Sequence, residues 1–556
     1  MDIFSYSSTV VNQYAALDPM TATGYGIAGH DGAWTDLSPA GHQERNDFWT
    51  NVAATASTFD TPDRKSMIAQ RVLLEECALH QTAYDSGLFM WDLNNLSSPW
   101  QYIRTIFTLA PRDTQQNWLD IITRFETIEV PLAGYQQALD QGRQEGVMPA
   151  ARQVSIAIEQ GRSAAGDDSS FNQLIEQFDE VAADQPAWQD LRPRLLAGVD
   201  HAKASYGRTT DWLESVLLPV APTADGVGES IYVDSAQRFL GETIDPHELY
   251  AWGWGEFARL SLEVTKTCKR VEPDLSVAEV MDMLATDPSR AAQSVDEFIA
   301  TMQERQQRAL EQLDGTHFEV DDRIRNIEVL TAPTGGSTAP YYTGPSEDFS
   351  RPGRVWYPVD GRDQFPLWEE VTTAYHEGFP GHHLQIGWQV AMGDDLSRLH
   401  RSLVWYPGSG EGWALYAERC MGELGYLDKP DYEVGLLMSQ MFRTCRIVID
   451  IGLHLGLTIP DDSSFHPGET WTYDLGVEML QTVAHQPEAV AHCEITRYLG
   501  WPGQAISYRV GEQAILDLRD EWRAAGHEDL KTFHAELLSV GSIGLDLMRE
   551  LVRPPA

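Results

Sequence analysis

The stretch Thr373-Ala-Tyr-His376-Glu377-Gly-Phe-Pro380-Gly-His382-His383-Leu-Gln385 governs the reading of this chain. A hydrolytic metal site needs two neutral imidazoles, a third ligand, an open position for water and a carboxylate to take the water's proton. The usual helical solution is His-Glu-x-x-His, with two histidines one turn apart and the Glu beside the water. Here the His-Glu pair is present, but the residue four after His376 is Pro380, which cannot bind a metal.

Pro380 cannot donate to the carbonyl of His376, and its ring disfavours a regular helix. Phe379, preceding a proline, is pushed away from α geometry. Glycines at 378 and 381 accept the unusual dihedrals that result. In an unbroken helix, His383 would lie about 10 Å along the axis from His376 at about 1.5 Å per residue. Zinc–nitrogen bonds of about 2 Å do not span that. An outward bulge of two residues brings His382 to the ligand position, and a bulge of three brings His383. His382 is preferred and His383 stays open. A lone buried histidine is usually a satisfied core residue, but Gly-Pro-Gly-His-His after His-Glu has no obvious packing use.

A third ligand is expected on a following helix. In Gly408-Ser-Gly-Glu411-Gly-Trp-Ala-Leu-Tyr416-Ala-Glu418, a helix starting at Ser409 or Gly410 puts Glu411 in its first turn, where a carboxylate suits the helix dipole. Glu418 follows seven positions on, along the same face, where it is able to orient a ligand histidine. The ordinary alternative for both is a solvated helix surface. Val434 to Leu457 reads as a buried helix, and Arg446, Asp450 and His454 form one polar stripe along it at steps of four. That stripe needs polar partners, either around the metal ligands and substrate or within a structural ladder. His454 is also the reserve ligand.

The first three hundred residues read as helices. Trp118, Ile122, Phe125, Ile128, Leu132, Tyr135 and Leu139 make one buried stripe, with Pro131 bending or splitting its helix. Similar patterns run through 44–84, 154–181, 246–270 and 295–313, and Asp245-Pro246 is a cap-then-first-turn signal. Short β-branched runs at 317–320, 324–330, 341–345 and 354–358 predict strands around an Ala332–Pro340 loop. The expected fold is mainly α, with a helical N-terminal lobe over 1–315 and a catalytic lobe over 316–556. The latter carries its strands at 316–358 and its metal-site helices at 367–515. Tyr341-Tyr342 are candidates for an edge strand that pairs with an extended peptide.

Composition bounds the rest. The chain has 556 residues, 42% of them hydrophobic, and a net charge of −43 from 83 acidic and 40 basic residues. Such a surface repels phosphate backbones and anionic lipid, so neither nucleic acid nor membrane is an expected partner. Cys77, Cys268, Cys420, Cys445 and Cys493 form no C-x-x-C pair and read as reduced thiols. No basic-then-apolar leader stands at the start, and cytoplasm is the expected compartment. No G-x-S-x-G elbow between a strand and a helix is present, which disfavours a serine hydrolase.

The strings H-E-G-F-P-G-H-H-L-Q, G-E-G-W-A-L-Y-A-E, R-I-V-I-D-I-G-L-H and R-Y-L-G-W-P-G-Q-A-I-S-Y resemble the bacterial "domain of unknown function 885" family. That family is similar to gluzincin-type zinc metallopeptidases, helical carboxypeptidases and oligopeptidases with two lobes around a deep cleft. The resemblance implies one zinc ion held by His376, His382 and Glu411, with Glu377 as general base. In similar peptidases a Tyr or His on a distant helix steadies the oxyanion; Tyr508 is the first candidate, Tyr498 the second, and Arg497 is a candidate for a substrate carboxylate. A peptide or small amide is the expected substrate. The alternatives are a zinc hydrolase of a non-peptide amide or ester, and a non-catalytic helical binding protein.

Overall fold

The computed structural model describes residues 1–333 and 339–554, so the middle of the expected Ala332–Pro340 loop lies outside the described residues. The chain folds as two compact units, one of Met1–Gly226 with Thr496–Trp501 and one of Val227–Ile495 with Pro502–Ala556. Both are helical.

In the first unit the apolar stripe is buried along its whole length, from Trp118 to Leu139. It is carried by two helices, Gln115–Glu126 and Glu129–Glu145, and Pro131 stands in the first turn of the second, where its missing N–H costs nothing. Phe107 and Phe125 stack at 4.0 Å, while Trp100 donates to the Ala157 carbonyl at 3.0 Å. The Trp100 ring is thus buried with its polar tip satisfied. The 496–501 segment joins it through Gln153, which donates to the Thr496 carbonyl at 2.8 Å.

The second unit is built from helices α1 (Glu229–Leu240), α2 (Pro246–Val271), α3 (Val295–Leu313), α4 (Leu367–Glu377), α5 (His382–Met392), α6 (Pro407–Glu423), α7 (Pro430–Leu455) and α8 (Ser507–Ala524). Asp245 caps α2 as expected, accepting from the His247 and Glu248 amides. The unit boundary near 226 corrects the one expected at 315. The reason is packing: α2 lies against α7 with Gly253 facing Ile447 and Val448, and α3 reaches α4 through Gln306, whose amide donates to the Ala374 carbonyl at 2.6 Å. Helices α6 and α8 cross so closely that a Cβ on Gly511 would stand 1.8 Å from the Gly408 carbonyl oxygen. Only glycine permits that crossing.

Beside a two-residue pairing of Ala291–Ala292 with Phe365–Pro366, a three-stranded sheet accompanies these helices: β1 (Ile327–Thr331), β2 (Tyr341–Thr343) and β3 (Gly353–Tyr357). β3 is central, parallel to β1 and antiparallel to β2. Residues 317–320 are not a strand; Phe318 contributes only an isolated bridge to Asp314. Gln303 of α3 covers the outer edge of β1, donating to the Ile327 carbonyl and accepting from the Val329 amide. The Tyr341–Thr343 strand is the other edge of the sheet. Among the described residues no helix is long and apolar enough to cross a membrane.

Candidate metal centre

The proline does more than bulge the helix. α4 ends at Glu377 and α5 starts at His382, separated by the Gly378–Gly381 turn. Gly381 sits so tightly that a Cβ there would be 2.0 Å from the His376 carbonyl oxygen. The turn is held from two sides. Gln306 accepts from the Phe379 amide at 2.6 Å, and the Trp413 indole donates to the Pro380 and Gly381 carbonyls at 2.9 and 3.1 Å.

This break turns the two adjacent histidines to different neighbours. The His376 and His382 rings are 4.9 Å apart, edge to face. His383 points elsewhere: its Nε2 donates to the Ile324 carbonyl at 2.7 Å and its Nδ1 meets the Tyr342 hydroxyl at 3.0 Å. Burial holds it neutral, its pKa down at about 4 with the Ile324 bond opposing. His383 is thus a satisfied core histidine, and the structure brings His382 to the cluster.

Helix α6 supplies two glutamates that take opposite nitrogens of His376. Glu411 Oε2 lies 3.3 Å from His376 Nε2 and 3.6 Å from His382 Nε2. Glu418 Oε1 lies 2.7 Å from His376 Nδ1. Seven residues is two helical turns, so both carboxylates share one face. The helix begins at Pro407, not at Ser409 or Gly410, which puts Glu411 beyond the first turn and corrects the dipole argument. Thr372 and Ser439 donate to the other Glu418 oxygen at 2.8 and 3.1 Å. Sequence reading passed over both, although Thr372 stands one turn before His376 on the same helix.

Burial opposes charge on His376, but hydrogen bonds to Glu411 and Glu418 overcome it and raise its pKa to about 10. Burial also opposes charge on Glu411, and the two histidines overcome it, holding that carboxyl well below its usual range. Burial and the nearby Glu411 charge raise Glu377, against the pull of His376 and His382.

The donor set fits zinc. Tetrahedral bonds of about 2.0–2.1 Å separate neighbouring donors by about 3.3 Å, close to the 3.3 and 3.6 Å found between Glu411 and the two imidazoles. His376, Glu377 and His382 offer atoms within 4.8 Å of one another. Glu377 Oε1, at 4.0 Å from His376 Nε2, stands farther off than Glu411 Oε2.

The other candidate residues lie as follows. Asp450 accepts from the Tyr232 hydroxyl at 2.8 Å and the Gly503 amide at 3.0 Å, and His454 Nε2 is 3.5 Å from Asp450. Arg446 pairs with Glu494 at 3.0 Å and lies over the Tyr508 ring at 4.5 Å. The stripe on α7 is therefore tied to α1, to Gly503 and to Glu494, while Glu418 backs His376. Arg497 and Tyr498 are buried in the first unit, with the guanidinium 4.9 Å from the ring centre.

Comparison with known proteins follows from this geometry. The family model described as "Bacterial protein of unknown function (DUF885)" matches residues 19–552. The chain belongs to that family. Among solved structures it is similar to a candidate lipoprotein from Colwellia psychrerythraea, at 23% identity and a TM-score of 0.85 over 99% of this chain and 98% of that one. It is also similar to a candidate lipoprotein of unknown function from Shewanella oneidensis, at 18% identity and a TM-score of 0.76 over 99% of each chain. The DUF885 chain shares their fold. No curated protein matches.

Proposed function

We propose that this protein is a zinc-dependent peptidase of gluzincin type that hydrolyses short peptides, with Glu377 as general base. One observation carries the reading: Glu411 lies 3.3 and 3.6 Å from the Nε2 atoms of His376 and His382, with Glu377 beside them. Bonded to Glu418 through Nδ1, His376 keeps Nε2 for a metal and is held in one ring orientation.

His376, His382 and Glu411 would hold the ion. When bound, zinc supplies Lewis acidity toward a carbonyl oxygen and toward water. Glu377 takes a proton from the attacking water as its oxygen bonds to the peptide carbon. The same carboxyl then gives that proton to the amine as the carbon–nitrogen bond breaks. Burial raises its pKa above the ordinary carboxylate value, against the pull of His376 and His382. Tyr508 is the candidate donor to the carbonyl oxygen as charge develops there.

The test is zinc content together with cleavage of a mixed peptide library by wild type and Glu377→Gln. Retained zinc with lost cleavage supports the reading, and unchanged cleavage in the variant removes Glu377 as the base. Cleavage of small amides or esters without any peptide cleavage would favour a different hydrolase. Five scattered cysteines that form no C-x-x-C pair support a reducing, cytoplasmic location, which cell fractionation tests.

A further inference from the structure

A cavity of about 150 Å³ opens beside Ser439, which donates to Glu418 at 3.1 Å. Trp368 and Glu369 of α4 line it, with Met438, Phe442 and Arg443 of α7. A short chain of hydrogen bonds joins it to the metal centre. Arg443 donates to the Ser439 hydroxyl at 2.6 Å, Ser439 donates to Glu418 at 3.1 Å, and Glu418 holds His376 at 2.7 Å.

Arg443 is the informative residue. It is half-buried, and its hydrogen bonds run from one terminal nitrogen to Ser439 alone, to the hydroxyl at 2.6 Å and the carbonyl at 3.4 Å. Its buried Nε has no hydrogen-bond partner, and among the described residues no carboxylate pairs with the guanidinium. Nearby arginines are matched: Arg419 with Glu512, Arg362 with Glu370 and Arg519 with Glu423. A planar guanidinium with open donors suits a carboxylate better than any other common group.

We propose that this cavity is the subsite for the carboxyl-terminal residue of a peptide substrate, and that Arg443 binds its carboxylate. The proposal rests on the peptidase reading and narrows it to removal of residues from the carboxyl end. Trp368, Phe442 and Met438 give the terminal side chain an apolar wall. The Arg443 charge also acts on Glu377, so the guanidinium is within electrostatic reach of the base.

Asp282 and Glu369 are the two lining carboxylates that an anionic guest would meet beside Arg443. Crowding by protein atoms and the neighbouring Glu370 raise the Glu369 pKa to about 7, against the pull of Arg443 and Arg362. A protonated Glu369 donates to a carboxylate instead of repelling it.

The experiment uses the zinc-loaded Glu377→Gln protein and calorimetric titration with one tetrapeptide ending in phenylalanine, as free acid and as amide. The free acid is expected to bind about 10- to 100-fold tighter, the range of a charge-assisted hydrogen-bonding pair. Adding Arg443→Met should reduce that preference to within about twofold, while Arg443→Lys keeps part of it. Should the Met variant fail to fold, the acid–amide comparison on the parent protein still decides. Equal or absent binding of the two forms overturns the subsite. So does a loss caused instead by acetylating the peptide's amino end, which would make Glu369 the anchor. Preserved acid preference with no cleavage by the wild-type protein sinks the peptidase reading and leaves the carboxylate site standing.

Discussion

Glu418 holds Nδ1 of His376 at 2.7 Å from a position with only 1% of its side chain exposed, so one candidate ligand histidine is backed by a buried carboxylate. Its second oxygen is taken by Thr372 and Ser439. A carboxylate so fully engaged fixes the imidazole tautomer and its orientation. Replacing Glu418 with Gln should weaken zinc binding by about 10- to 100-fold, the usual cost of losing such a partner. Competition with a chromophoric chelator measures this, and wild-type affinity in the variant would refute the role.

The turn between α4 and α5 tolerates no side chain at 381, where a Cβ would fall 2.0 Å from the His376 carbonyl and 2.4 Å from that of Tyr375. Backbone atoms cannot swing aside as a flexible side chain does. Gly381→Ala should cost at least about 2–3 kcal/mol of stability, the range of overpacking. It should also lower zinc occupancy, because His382 is the next residue. Gly315→Ala, at a turn with open space around its Cβ but a positive φ of 72°, is the comparison for backbone strain alone. Similar losses from both, by chemical denaturation, would refute the steric argument.

Much of the candidate site was legible because its chemistry is written in local spacing. His376, Glu377 and Pro380 announce a broken metal helix, and Glu411 with Glu418 repeat at two turns. What was not legible depends on distant neighbours. Choosing His382 over His383 requires knowing that Ile324, 59 residues upstream, offers its carbonyl to His383 Nε2. The unit boundary was misplaced for a similar reason: nothing local in Val295–Leu313 reveals that Gln306 reaches the turn after His376. Arg443 escaped notice because Arg446, Asp450 and His454 gave the longer polar stripe on the same helix. Ser439 and Arg443 form a second such pair, four residues apart.

Zinc uptake should release protons. In the metal-free protein Glu411 and Glu418 keep His376 protonated up to about 10, against the effect of burial. A ligand imidazole must be neutral, so near pH 7.5 that proton leaves as the metal binds. Affinity should therefore rise as pH increases toward about 10. Calorimetry in two buffers of different ionisation enthalpy reads the stoichiometry, expected at about one proton per ion. Identical heats in both buffers would exclude His376 as the protonated ligand.

Acid sensitivity of the fold should trace to Glu512 on α8. Its side chain is fully buried, accepting from Arg419 at 2.7 Å, from Gln440 at 2.9 Å and from Arg509. Burial opposes its charge, but Arg509 and Arg419 prevail and lower its pKa to about 2. A pKa depressed on folding means the carboxylate stabilises the native state fully above the unfolded value of 4.5. That contribution fades as pH falls from 4.5 through about 2, and amounts to about 3 kcal/mol at 1.36 kcal/mol per pH unit. Glu512→Gln should lose a comparable amount near neutrality, since it leaves Arg419 without its charge partner and Arg509 with Glu256 alone. Urea unfolding from pH 7 to 3 should then give a shallower decline for the variant than for wild type. Parallel curves would mean that other carboxylates, not Glu512, govern the acid limb.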